Sequence, residues 1–205
     1  MPNKLWTVFS RPLREKMTEV DHRELRSSGF WVGHILMILA TIFGVYLAAS
    51  AGLKQAIIFN EINDTQSNYY LRMSLHDELT ENIALLRVYH DEYLSKNISN
   101  RELKRNNPHI DRYVWETMRF SPVTLETPSY FLTEVRRFYR QVDGIIDKTE
   151  QQTYSAGYAS QLLLAQLDHM EHTVLVQLAE NAQQLADELA EFGIRTTRIE
   201  VSHEQ

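Results

Sequence analysis

One uninterrupted apolar stretch, residues 29–53, most strongly limits what this chain can fold into. Its 25 residues contain no Asp, Glu, Lys or Arg, and His34 is their one ionisable side chain. An α-helix rises about 1.5 Å per residue, so a helix of this length is long enough for the roughly 30 Å hydrocarbon core of a bilayer. The sequence therefore predicts a single transmembrane helix over residues 29–53.

A cleaved signal peptide is the alternative interpretation of this stretch. The motif Ala49-Ser50-Ala51 has the small-x-small form of a cleavage site. The apolar part of a signal peptide usually has about 7–15 residues and lies near the N-terminus. Here the run is longer and follows 28 residues, so we favour an uncleaved anchor.

Charge differs on the two sides of the apolar stretch. Residues 1–28 contain six basic and four acidic side chains, whereas the rest of the chain contains fifteen basic and twenty-three acidic ones. Basic flanks stay on the cytoplasmic side of a membrane. We therefore expect a cytoplasmic tail, 1–28, and a periplasmic remainder, in a bacterial inner membrane. The tail has the pattern of an amphipathic helix lying on the leaflet, or of a partly ordered segment that only enforces topology. The acidic remainder argues against nucleic acid as a partner.

Apolar periodicity beyond residue 54 is helical throughout. Residues 58–93 show two phases separated by polar residues 63–68, where we expect a bend or a change of neighbour. Loop residues 96–107 precede a short helix opened by Pro108. A longer helix follows an N-cap at Thr127-Pro128, and its apolar stripe is Phe131, Val135, Phe138, Val142 and Ile145. The last long helix covers about 158–192, has an apolar stripe that runs from Leu163 to Phe192, and ends at Gly193. The predicted fold is all-α: one N-terminal transmembrane helix, then an extracytoplasmic antiparallel helical bundle, 54–193, and a C-terminal tail, 194–205, that forms an edge strand or is disordered.

Two kinds of surface are candidates for binding a partner. Within the anchor, small residues recur at helical spacing beside a histidine and favour close approach of another helix. In the acidic domain, three arginines share one side of a helix, and four apolar residues of the last helix lie off its main apolar stripe. The membrane set is Gly33, His34, Ala40, Gly44 and Ala48; the domain set is Arg136, Arg137, Arg140, Leu162, Leu164, Leu175 and Val176.

The sequence carries no recognisable catalytic or metal-binding motif. Cysteine is absent, which excludes disulfides, thiolate metal sites and a cysteine nucleophile. Asp168 and His172 lie one helical turn apart, but two ligands do not make a metal site. We therefore expect no enzyme activity, no cofactor and no metal.

The sequence favours a non-enzymatic membrane protein that serves as an assembly, scaffolding or regulatory subunit of a larger envelope complex. Its partners would be the bilayer and other membrane or periplasmic subunits, including further copies of itself. The alternative is a ligand-sensing periplasmic bundle that signals through a partner protein.

Overall fold

The computed structural model describes residues 28–96 and 98–196. All regular structure in these residues is helical, which confirms the all-α prediction for the described part of the chain. Residues 1–27 of the predicted cytoplasmic tail and residues 197–205 of the predicted C-terminal tail lie outside the described residues. The elements are α1 (Ser28–Tyr89), a π-helical turn (His90–Leu94), α2 (Asn100–Arg105), α3 (Tyr113–Met118), a 3-10 turn (Pro122–Glu126), α4 (Ser129–Glu150), α5 (Ala156–His169), a second π-helical turn (Met170–Val174) and α6 (Leu175–Glu191).

Helix α1 includes the apolar stretch and is long and apolar enough to cross a membrane. Its most apolar window has a mean hydropathy of 2.1, and none of that window is buried. The chain divides into two compact units between Ala56 and Ile57. The helix is not interrupted in the polar segment 63–68, and the first buried side chain of α1 is Asn68. The helix therefore does not break in that segment, and the buried side chains of α1 begin at its end.

The core of the second unit is built from apolar stripes on α1, α4, α5 and α6. All five positions of the predicted α4 stripe are buried, as are most of those predicted for the last helices, whereas Phe192 is exposed. Burying one such side chain stabilises a fold by about 1.5–3 kcal/mol, so these stripes dominate the packing. The buried stripe residues are Phe131, Val135, Phe138, Val142, Ile145, Leu163, Leu167, Met170, Val174, Leu178, Ala182 and Leu189, and α1 adds Leu75, Leu79, Ile83 and Leu86.

The C-terminal end of α6 agrees with the predicted glycine cap. Gly193 has a φ of 77°, in the left-handed region that glycine adopts without steric cost. The backbone N–H of Ile194 donates to the Leu189 carbonyl oxygen at 3.0 Å, and that of Gly193 donates to Ala190 at 2.9 Å. These bonds satisfy carbonyl groups that the helix end would leave unpaired.

Three predictions about the middle of the chain are wrong. Residues 107–112 are not helical, so Pro108 does not open a helix, and α3 begins at Tyr113. The predicted loop 96–107 contains α2, which starts at a capping box where Ser99 and Glu102 bind each other's backbone N–H groups. The α4 cap is also one residue later than predicted: it is Pro128, and the buried Thr127 hydroxyl has no hydrogen-bond partner.

Buried polar side chains of α1 bind the backbone of the segment between α2 and α4. The Asn82 amide donates to the Asp111 carbonyl oxygen at 2.6 Å and accepts from the Asp111 N–H at 3.0 Å. The Glu78 carboxylate accepts from the N–H groups of Val114 (2.6 Å) and Trp115 (3.2 Å). It therefore caps α3 from another helix, which explains why α3 begins where it does.

Arg72 of α1 holds the other end of the same segment. Its guanidinium donates to the Glu126 carbonyl oxygen at 2.9 Å and to the Asn181 side chain of α6 at 2.7 Å. Asn68 adds a hydrogen bond to the Glu126 carboxylate. Burial lowers the pKa of Arg72, and the carboxylates of Glu126 and Glu188 oppose that shift.

Two buried tyrosines predict how the fold responds to alkaline pH. Burial, aided by the Glu150 carboxylate, raises the pKa of Tyr89 from 10.0 to about 12. Burial and the adjacent Glu78 carboxylate also raise the pKa of Tyr139. A raised folded-state pKa means that the unfolded chain releases its proton first. The stabilisation is therefore complete below pH 10 and is lost as the pH rises toward 12.

We expect the unfolding free energy of the full-length protein in detergent, measured by urea titration, to fall between pH 10 and pH 12. In the Tyr89→Phe variant this decrease should be less steep: the slope of the unfolding free energy against pH should be smaller by about 1.4 kcal/mol per pH unit. The exposed Tyr113 is the matched control, and Tyr113→Phe should keep the wild-type slope. Equal slopes in the wild-type and Tyr89→Phe proteins would contradict the prediction.

Candidate partner-binding surfaces

The small residues predicted for helix packing in the membrane all lie on α1. Every side chain from residue 31 to residue 49 is exposed, so the structure does not single out one face of this segment. A Cβ atom added at Gly33 or Gly44 would meet nothing within 4 Å. The His34 Nδ1 atom lies 3.0 Å from the Phe30 carbonyl oxygen, a hydrogen bond within the helix. The remaining members of the predicted face are Ala40 and Ala48, both exposed.

The three predicted arginines of α4 are exposed but differ in their bonding. Arg137 forms an ion pair with Glu134, whose carboxylate also lies 3.1 Å from His169 Nε2. Arg136 and Arg140 have no hydrogen bond or ion pair within the described residues. Two of the three predicted cations are thus free to bind an external anion.

The four apolar candidates of the last helices occupy different environments. Leu175 is buried in the core, so its side chain is not available to a partner. Leu162 and Leu164 are half-buried, and Val176 is 48% exposed. The apolar character of more than one side of this helix is therefore explained in part by the chain's own packing.

A groove between α3 and α4 was not anticipated from the sequence. We call it the α3–α4 groove; its cavity volume is about 530 Å³. Its walls come from α3, the 3-10 turn and the first two turns of α4. The lining residues are Trp115, Met118, Arg119, Thr124, Ser129, Leu132, Thr133 and Arg136.

Three large apolar side chains project into solvent from the segment that forms this groove. Phe120 is 87% exposed, Leu125 is 89% exposed and Tyr113 is 80% exposed. Residues 119–127 have no helical periodicity, so reasoning from spacing passed over them. The sequence did contain one indication of an exposed apolar site: two large apolar residues, Phe120 and Leu125, lie close in the chain to Arg119 and to prolines.

The groove is positively charged within an acidic unit. Residues 57–196 contain thirteen basic and twenty-one acidic side chains. Arg119 and Arg136 both line the groove, and neither has a hydrogen bond or ion pair within the part of the chain that the structure describes. Unpaired cations beside apolar walls favour a ligand that combines apolar and anionic groups.

Asp168, Glu171 and His172 form the one group of three metal-type ligands found in the described residues. Their ligand atoms lie within 4.8 Å of one another. Arg87 already binds both carboxylates, at 2.7 Å to Asp168 and 2.5 Å to Glu171. These hydrogen bonds raise the pKa of Arg87. The geometry is that of an ion-pair cluster joining α1 to α5 and its π-helical turn.

Ser160, His90 and Asp91 lie in the order of a nucleophile, a base and an orienting acid. Ser160 Oγ is 2.9 Å from His90 Nε2, and His90 Nδ1 is 2.7 Å from Asp91 Oδ1. Acyl transfer also needs donors aimed at the developing oxyanion. Ser160 lies inside α5, where the backbone N–H groups already donate to carbonyl oxygens of the helix. The N–H of Ala159, for example, donates to the Ser155 carbonyl oxygen. The contact therefore joins α5 to the first π-helical turn.

No protein-family model matches the chain, and neither a curated protein nor a solved structure is significantly similar to it.

Proposed function

We propose that this chain is a non-enzymatic, single-pass protein of the bacterial inner membrane. Its periplasmic helical bundle acts as an assembly, scaffolding or regulatory subunit of a larger envelope complex. The observation that carries this proposal is the α3–α4 groove, with unpaired arginines and fully projecting apolar side chains. The apolar part of α1 supplies the anchor.

The surface around the groove has the features of a protein-binding site. Exposed apolar side chains that cluster beside a concave surface are typical of interaction sites, where a few buried aromatic or apolar anchors supply most of the binding energy. Phe120 and Leu125 would become such anchors when a partner covers them. A small ligand inside the groove would leave both side chains in solvent, so their exposure favours a macromolecule.

The occupant we propose is an amphipathic helix of a partner protein, with acidic residues beside its apolar face. The α4 side of the groove extends from Ser129 to Arg136, about 10 Å or two helical turns. An apolar residue at i and another at i+3 or i+4 would fill it. Acidic side chains on the same helix would pair with Arg119 and Arg136.

The alternative function is a ligand-sensing bundle that signals through a partner, and a second cavity, on the C-terminal half of α4, supports it. Both functions place the helical unit outside the cytoplasm and assign it no chemistry on a covalent bond.

Single-cysteine labelling tests the membrane topology, because the chain contains no cysteine of its own. We expect a membrane-impermeant maleimide to label Asn60→Cys in cells with a permeabilised outer membrane. It should label Ser10→Cys only after the inner membrane is disrupted. The reverse pattern would overturn the orientation. A mature protein that lacks the Ser10→Cys label altogether would show that residues 29–53 are cleaved.

Site-specific photocrosslinking tests the groove. A benzophenone amino acid at position 120 or 125 should crosslink in cells to one protein, through a segment with acidic residues at helical spacing. Position 88 is the matched control, because Val88 is an exposed apolar residue of α1 away from the groove lining. The double charge reversal Arg119→Glu and Arg136→Glu should reduce the crosslink at least tenfold, and lysines introduced in the partner's acidic segment should restore it.

Two results would contradict the groove proposal. One is a crosslink from position 120 that goes only to lipid. The other is a protein crosslink that the double charge reversal leaves unchanged, since the partner would then bind without the arginines.

A further inference from the structure

A second cavity opens on the C-terminal half of α4, facing α5. We call it the Gly144 pocket; its volume is about 280 Å³. It shares no lining residue with the α3–α4 groove. Its walls combine two cations, two amides, one phenol and apolar surface: Arg140, Gln141, Gly144, Ile145, Lys148, Tyr154, Leu162 and Gln166.

Gly144 has no side chain to fill this space, and the backbone at this position does not require a glycine. It lies inside α4, where glycine destabilises a helix relative to alanine. A Cβ atom at this position would meet nothing within 4 Å, and the residue does not have a positive φ. Neither a turn nor a close backbone contact therefore explains the glycine, and its visible effect is the open floor of the pocket.

The polar groups of the pocket have unused bonding capacity. The Gln141 Oε1 atom is buried and has no hydrogen-bond partner. A buried acceptor without a partner destabilises the fold, so a bound hydrogen-bond donor would remove that penalty. Arg140 has no partner within the described residues. Lys148 Nζ donates to the Tyr154 hydroxyl at 3.1 Å and lies 5.0 Å from the centre of that ring.

These groups define a ligand with three parts. Arg140 and Lys148 favour an anionic group, the Gln141 carbonyl oxygen favours a hydrogen-bond donor, and Ile145 with Leu162 favours an apolar group. An ammonium donor would be repelled by the two cations, which favours a hydroxyl. A cavity of 280 Å³ lies just below the range of about 300–1,000 Å³ that is usual for ligand sites, so the ligand must be small. We propose that the Gly144 pocket binds a small hydroxycarboxylate with an apolar substituent.

The probe for this site is 3-phenyllactate, measured by titration calorimetry with the full-length protein in detergent against a detergent blank. We expect saturable binding in the millimolar range or tighter. The analogue 3-phenylpropionate lacks the hydroxyl and should bind about tenfold more weakly, as expected for a lost hydrogen bond. The substitutions Lys148→Gln and Arg140→Gln should each reduce the affinity for 3-phenyllactate about tenfold.

Filling the pocket is the sharpest test of its location. Gly144→Leu should abolish binding. Gly157→Leu is the matched control: Gly157 is also a helical glycine with open space at its Cβ position, but it does not line the pocket. If Gly144→Leu does not fold, Lys148→Gln and Arg140→Gln decide the question.

The proposal is overturned if wild-type protein shows no saturable binding of 3-phenyllactate at millimolar concentration. It is also overturned if Gly144→Leu, or both charge-neutral variants, bind as the wild type does. Equal affinity for 3-phenylpropionate would also overturn it, because the proposed ligand class depends on the hydroxyl group. None of these outcomes bears on the α3–α4 groove, so failure of one proposal leaves the other standing.

Discussion

The second compact unit depends on a few buried polar side chains of α1 that bind backbone groups of the segment between α2 and α4. Asn82 donates a hydrogen bond to the Asp111 carbonyl oxygen, and Glu78 accepts one from the N–H of Val114 at the start of α3. Arg72 donates to the Glu126 carbonyl oxygen. This segment contains only two short helical elements and could not bury its own polar backbone in an apolar core without such partners. Each side chain is itself buried, so removing one would leave its backbone partner unsatisfied, at a cost of about 1–3 kcal/mol.

This arrangement also determines where the surface features lie. Because Glu78 fixes the start of α3, Trp115 and Met118 come to face the first turns of α4 and form the α3–α4 groove. Helix α4 then serves two purposes. One side supplies the buried stripe, while positions 132, 136, 140, 144 and 148, four residues apart, form a ridge along another side. That ridge carries the groove wall at its start and the Gly144 pocket farther along.

The elements that the sequence predicted well are those whose signal is local. The apolar stretch and the stripes of α4 and the last helices follow from spacing alone, and Gly193 follows from the cap that glycine makes. The error at Pro108 arose because a distant residue determines where α3 begins. Pro108 is a reasonable helix opener by itself, but the carboxylate that starts α3 comes from Glu78, 36 positions before Val114. The capping box of Ser99 and Glu102 was a local signal that was missed. Leu175 was assigned to a partner surface because it lies off the main apolar stripe of its helix. Periodicity alone cannot show that the chain's own core buries a second side of that helix.

Under the proposed function, the anchor explains why so small a groove is sufficient. A two-turn helix with two ion pairs buries far less area than the roughly 1,200–2,000 Å² of a stable interface between free proteins, so its intrinsic affinity would be weak. Two proteins held in one membrane meet at an effective local concentration that can reach the millimolar range, which converts weak contact into substantial occupancy. Charge then adds selectivity: Arg119 and Arg136 attract an acidic helix, whereas the acidic remainder of the unit repels the same helix elsewhere. A weak, oriented and reversible contact of this kind suits a subunit that assembles a complex.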